Sequence, residues 1–195
     1  MKKDEIITLP LDVCGEEKNK KYSDEYYFIQ LNKLRHIRLF NTIDDEVAEL
    51  ICTKIEIMNV ESSLPITIEI NSGGGDVASG ISIINAIRHS KAPIVTVING
   101  ECLSMAAMIS IFGHIRKIEA NSSWMQHPTA SMISDDVAKI QDRTQYLIKA
   151  EKEMEKMIKS RTKLNAKDLL KIRHGELWLD AKECKQKGVV DQIIK

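Results

Sequence analysis

The sequence predicts an α/β domain with mostly parallel strand pairing. Short runs of alternating apolar residues, Ile66-Thr-Ile-Glu-Ile70 being the cleanest, recur between stretches whose apolar residues repeat at helical spacing. Glycine- or proline-bearing breaks separate one period from the next, as at Pro65, Gly73 to Gly75, Pro93 and Gly100. Strands alternating with helices in this way build a parallel sheet covered by helices. At 195 residues, 43% of them hydrophobic, the chain has material for one core, and with only 5% aromatics that core is aliphatic.

Taken in order, the segment from Met1 to Glu25 reads as a polar, loosely ordered arm, and residues 1–34 as a whole stand apart from a single domain over 35–195. His36-Ile-Arg-Leu-Phe40 alternates as a strand. Asn41-Thr-Ile-Asp44 supplies helix-capping chemistry ahead of an apolar face of Val47, Leu50, Ile51, Ile55 and Met58. After Ser62 to Pro65 comes the strand Ile66 to Ile70, then a glycine turn, then a helix marked by Val77, Ile81, Ile84 and Ile87. Ile94 to Ile98 is the next strand, and Gly100 is expected to turn the chain into a helical run from Ser104 to Phe112, with Gly113 at its end. Ile115 to Glu119 and Ser123 to Gln126 are short strands. Asp135 to Ser160 is a long helix with a charged face, bearing Val137, Ile140, Tyr146, Leu147, Met154 and Met157. Asp180 and Glu183 form a capping-box start to a short helix that ends at Gly188, and Val189 to Ile194 closes the chain as a strand.

Composition excludes several functions. Twenty-eight basic residues balance 28 acidic ones, so the basic excess of a nucleic-acid protein is missing. Low net charge also removes self-repulsion and suits close association. Cys14, Cys52, Cys102 and Cys184 form no CxxC pair and read as reduced thiols, against a disulfide framework or a zinc site. The apolar stretch Ile6 to Cys14 is broken by Pro10 and Asp12 and is no secretory leader, and the run Cys102 to Gly113 is too short for a bilayer. A cytoplasmic location without membrane attachment is the expectation.

Three segments have the makings of a site. Ile70-Asn-Ser-Gly-Gly-Gly-Asp-Val-Ala78 is a glycine-rich turn between strand and helix, whose amides can all point one way. It reads as a plain tight turn, a phosphate cradle or an oxyanion site; Gly73-x-Gly75-x-x-Ala78 even satisfies a dinucleotide fingerprint. In Asn99-Gly-Glu-Cys-Leu-Ser-Met-Ala-Ala107, Ser104 lands on the first turn of an apolar helix, either as a simple helix cap or as a nucleophile whose alkoxide the helix start stabilises. Asn121-Ser-Ser-Trp-Met-Gln-His127-Pro puts a histidine at a strand end, one of five in the chain. A serine and a histidine within reach of each other suffice for nucleophilic catalysis.

Ile-Asn-Ser-Gly-Gly-Gly, Gly80, Gly-x-x-x-Ser-Met-Ala-Ala and Asn-Ser-x-x-Met-x-His, in that order, resemble the proteolytic-subunit family of the Clp protease (ClpP). The likeness runs from Arg35 to Ile194 and includes the tail Trp178-Leu-Asp-Ala-Lys-Glu-Cys-Lys-Gln-Lys-Gly-Val-Val-Asp191. The resemblance implies a ClpP/crotonase-like fold of repeated β-β-α units with a protruding handle over about residues 128–160. It implies a serine endopeptidase that cleaves unfolded proteins or peptides inside a chamber of heptameric rings, stacked as a tetradecamer, without a cofactor or metal and with an AAA+ unfoldase as partner. By motif match Ser104 is the nucleophile, His127 the general base, and the amides of Gly75 and Met105 the oxyanion hole. Gly73 stands where the family has proline, and residues 1–34 do not match its pore loops. The family's orienting aspartate falls on Ile172, leaving Glu176, whose spacing to Trp178 is retained, as the favoured third member and Asp168 as the other candidate. An impaired ring subunit serving as scaffold or regulator is the alternative. A crotonase-type acyl-CoA enzyme follows behind it, and a dinucleotide oxidoreductase last, since it leaves Ser104, His127 and the tail unexplained.

Overall fold

The computed structural model describes residues 24–130 and 135–194. Its elements are α1 (Asp24–Lys33), β1 (His36–Leu39), α2 (Asp45–Glu61), β2 (Ile66–Ser72), α3 (Val77–His89), β3 (Ile94–Leu103), α4 (Met105–Ser110), β4 (Ile115–Glu119), β5 (Ser123–Gln126), α5 (Val137–Arg161), α6 (Ala166–His174), β6 (Leu177–Asp180), α7 (Ala181–Gln186) and β7 (Gln192–Ile194). The α/β expectation holds. One sheet runs β1-β2-β3-β4-β7 with every neighbouring pair parallel, and β5 and β6 branch from it. The loosely ordered arm expected from Met1 to Glu25 lies almost wholly outside the described residues; the stretch after it, set apart from the domain by sequence, forms α1.

The branch is what positions the site. Gly100 does not end its strand as expected. β3 continues through it and changes partner: Val95–Ile98 pair with β4, whereas Glu101–Leu103 pair with β5. Gly100 has φ +111°, a conformation that favours glycine, and a Cβ there would lie 2.7 Å from Asn71 Oδ1. That Asn71 oxygen accepts from the Glu101 amide at 3.0 Å, and Ser122 Oγ accepts from the Gly100 amide at 2.8 Å. Side-chain acceptors thus satisfy the backbone where the ladder switches, so the strand passes the fork intact. β6 then closes the branch by antiparallel pairing with β5.

The helices start where capping chemistry predicts. Asp44 accepts from the Val47 amide at 2.9 Å, and the capping box of Asp180 and Glu183 is present in full. Gly188, at φ +66°, follows the end of α7 as a left-handed terminator. In α2 the buried face is Ala48, Ile51, Ile55 and Met58; Leu50, expected on it, is exposed because it sits one position off the stripe. The core is aliphatic as predicted, with Ile37, Leu39, Ile66, Ile68, Ile70, Ile83, Ile84 and Ile94 essentially inaccessible, and Trp124 as its largest buried side chain. Of the 25 residues of α5 only Met154 and Ile158 are buried, and Val137, Tyr146 and Ile148 face outward. Its C-terminal end is tied to the sheet: Arg161 donates to the carbonyls of Ile111 and Gly113, both at 2.9 Å, and Arg116 donates to the Arg161 carbonyl at 2.6 Å. No helix among the described residues is long and apolar enough to cross a membrane.

Candidate active site

The glycine turn closes β2 and leads into α3. Asp76 caps α3 by accepting from the Ser79 amide at 2.8 Å, and this bond chiefly holds its carboxyl below the usual carboxylate range. Ile43 clamps the turn from the other side. Its amide donates to the Gly74 carbonyl (2.9 Å) and its carbonyl accepts from the Asp76 amide (2.8 Å), so both bonds of this bridge pass the Gly75 amide by. Gly75 has φ +152°, and a Cβ there would lie 2.2 Å from the Ile43 carbonyl oxygen. Only glycine fits.

Ser104 sits at the seam between β3 and α4. Its φ of +55° with ψ −121° is left-handed backbone rarely adopted outside glycine, and the fold holds it there. Its amide donates to the Met125 carbonyl of β5 at 2.9 Å, and its carbonyl accepts from Met108 at 3.1 Å. Such strain persists only where the surroundings over-determine it. Ser104 occupies the cap position of α4, yet its side chain makes no capping hydrogen bond, which removes the reading of Ser104 as a simple helix cap. Met105 follows as the first residue of α4, so its amide has no acceptor within the helix. Cys102, two residues before Ser104, is fully buried, and desolvation pushes its thiol up to about 12. It is no rival nucleophile.

The fork in the sheet brings His127 to this seam. β5 pairs with the last part of β3, and His127 follows the last residue of β5. Gly75, Ser104, Met105 and His127 line one cavity of about 230 Å³, together with Val77, Met108, Gln126 and Met154. Nδ1 of His127 lies 2.6 Å from the carbonyl oxygen of Pro128. A smaller cavity of about 30 Å³ borders His127 on another side, and Ile172, Leu169, Glu151, Glu155 and Arg173 line it. The apolar Ile172 thus shares this small cavity with the histidine.

The structure does not bring Glu176 to His127. Glu176 lines neither cavity, and its Oε2 accepts from Trp178 Nε1 at 2.8 Å, because the residue sits in the exposed turn that leads into β6. Asp168 is likewise committed elsewhere. Lys187 Nζ lies 2.7 and 2.8 Å from its two oxygens, and Oδ2 also accepts from the Asn165 amide at 3.0 Å in the capping box of α6. Sequence reasoning missed the contributions of Gln126 and Met154. Gln126 is buried between both cavities with its Oε1 lacking a hydrogen-bond partner, a feature that strand alternation alone does not mark. Met154 arrives from α5, far along the chain. Among the described residues no cluster of His, Cys, Asp and Glu has the makings of a metal site.

A strained serine at a strand–helix seam, a glycine turn and a histidine on one cavity are the parts of an α/β serine hydrolase. Comparison with known proteins narrows that class. Residues 18–195 match the Clp protease family, and the chain belongs to that family. It is 30% identical over 183 residues to the ATP-dependent Clp protease proteolytic subunit 2 of Treponema denticola, covering 92% of each chain. It is 28% identical over 170 residues to the corresponding subunit 2 of Corynebacterium efficiens, with 86% of this chain and 85% of the relative covered. With the ATP-dependent Clp protease proteolytic subunit of Carsonella ruddii it shares 26% identity over 191 residues and 97% of each chain. The family is one of peptidases, and the mainly parallel sheet with its helices agrees with its fold.

Proposed function

We propose that the chain is a serine endopeptidase in which Ser104 is the nucleophile, His127 the general base, and the amides of Gly75 and Met105 the oxyanion hole. One observation carries this reading: these four residues, from three separate segments of the chain, line a single cavity. Ser104 Oγ attacks the scissile carbonyl while His127 Nε2 takes its proton. The carbonyl oxygen, now an anion, is held by the two amides, which need no reorganisation because the turn and the helix start are already rigid. The protonated imidazole then donates to the leaving amine, and water releases the acyl group by the same steps in reverse.

Unfolded proteins or peptides are the proposed substrates, cut within a ring of several copies. Two stacked heptamers are the arrangement that the resemblance implies, with an AAA+ unfoldase to feed them. The outward-facing Val137, Tyr146 and Ile148 of α5, next to the few residues it buries, support association through that helix. Ile172 in the small cavity that His127 borders favours a second reading, an impaired subunit that serves as scaffold within a mixed ring.

A fluorophosphonate or β-lactone probe followed by mapping of the modified residue separates the two. The expected result is modification of Ser104, lost in Ser104→Ala together with peptide cleavage while assembly is unchanged. Labelling that persists in the variant refutes the assignment, and a wild-type protein that takes no probe supports the scaffold.

A further inference from the structure

We infer that the main-chain carbonyl of Pro128 does the orienting work usually given to a carboxylate, so that Ser104 and His127 form a dyad whose third group is backbone. This rests on the peptidase reading above. A carbonyl oxygen only accepts, so the 2.6 Å contact puts the ring proton on Nδ1. The neutral ring then carries its lone pair on Nε2, the nitrogen required as base.

The surrounding carboxylates leave this role open. Asp168 is held by Lys187 and Asn165, and Glu176 by Trp178. Glu155 is gripped by Arg173 at 2.6 and 2.8 Å, a contact that lowers its carboxyl to about 2. Glu151 lines the small cavity but makes no hydrogen bond to His127, whose Nδ1 contact is to Pro128, and Ile172 in the same wall has nothing to accept a proton.

The local sequence explains why the carbonyl is well placed. The pyrrolidine ring of Pro128 locks its own φ and keeps the preceding residue extended, which restricts two of the backbone torsions between the imidazole-bearing residue and the carbonyl that faces it. The contact needs no distant partner, and so survives the replacement of an acid by Ile172. A neutral acceptor secures tautomer and orientation but stabilises the imidazolium less than a carboxylate does. The wrong tautomer costs about 10⁴-fold in turnover in a serine protease triad, and this is the loss that the Pro128 carbonyl avoids.

The test has two independent arms on the full chain in its assembled state. In the first, ¹⁵N-labelled histidine reports the ring tautomer of wild type, with His127→Asn identifying the signal; protonation at Nδ1 is expected, and protonation at Nε2 overturns the inference. In the second, Pro128→Gly frees the carbonyl. We expect kcat to fall at least tenfold with KM unchanged, and Ile172→Asp in that background to restore it by placing a carboxylate in the small cavity that the ring borders. Glu151→Gln, Glu176→Gln and Asp168→Asn keep wild-type kcat. Full activity of Pro128→Gly, failure of the rescue, or a large loss in any of the three amide variants overturns it. Absence of probe labelling at Ser104 in wild type would instead defeat the peptidase reading, and the tautomer arm still decides the carbonyl's role.

Discussion

Adding one methyl group at Gly74 tests whether the glycine turn and the serine seam form one rigid unit. Gly74 has φ +95°, and a Cβ there would lie 2.8 Å from the Leu103 carbonyl oxygen, 2.8 Å from Ser104 Cβ and 2.9 Å from the Met105 amide nitrogen. Two of these neighbours are backbone, so neither can step aside by changing rotamer. Holding alanine in that conformation costs of order 1–3 kcal/mol, and overpacking typically adds about 1–3 kcal/mol. Gly74→Ala is therefore expected to destabilise by about 2–6 kcal/mol. At roughly 2–4 °C per kcal/mol for a domain of this size, the melting temperature falls by about 4–24 °C. Any relief by moving the turn away from α4 separates the Gly75 and Met105 amides, and a displacement of about 1 Å is worth about 10²-fold in rate. Thermal unfolding and kcat on a fluorogenic peptide measure both effects. Gly73→Ala is the control, because a Cβ at Gly73 meets nothing within 4 Å. Wild-type melting and turnover in Gly74→Ala, or equal damage in Gly73→Ala, would refute the reasoning.

Asp191 fastens β4 to the chain end through Arg116, whose Nη2 and Nε lie 2.6 and 3.0 Å from its oxygens, and the hydrogen bond from Arg116 is the main cause holding its carboxyl below the usual range. The stability it contributes is thus complete above the ordinary carboxylate range and is lost as pH falls through that range towards the lowered value; Asp191→Asn should melt lower near pH 7 and converge with wild type in acid, and a gap independent of pH would count against this. Gln126→Met removes the buried Oε1 that has no partner together with the long 3.3 Å bond from Nε2 to the His127 carbonyl, and the two effects leave stability within about 1 kcal/mol of wild type in thermal unfolding; a larger fall in melting temperature would mean that the carboxamide is satisfied by water. Light scattering at micromolar protein should report an assembly of several subunits, and a particle of 22.1 kDa, the mass of one chain, would refute association through α5.

Local signals settled most of the architecture. Alternation marked β2, helical spacing marked α2, α3 and α5, and the Asp44 and Asp180 caps marked helix starts, because each depends on residues a few positions apart. The glycine turn, Ser104 and His127 were legible in the same way, as short motifs whose order along the chain resembles a known family. What sequence alone misjudged depends on distant partners. Gly100 reads as a turn until Asn71 and Ser122 are seen satisfying its surroundings, which lets β3 run on and change neighbour. Glu176 reads as the acid beside His127 by its spacing from Trp178, but its side chain bonds to that Trp178, and the segment lies in an exposed turn. Ile172 reaches the small cavity that His127 borders from α6, far along the chain, and the Pro128 contact, though favoured by the local His127-Pro128 pair, becomes visible only in three dimensions. Periodicity and capping report energies that arise within one turn or one strand. Which groups meet across the fork of the sheet is decided by packing, and only the tertiary structure contains it.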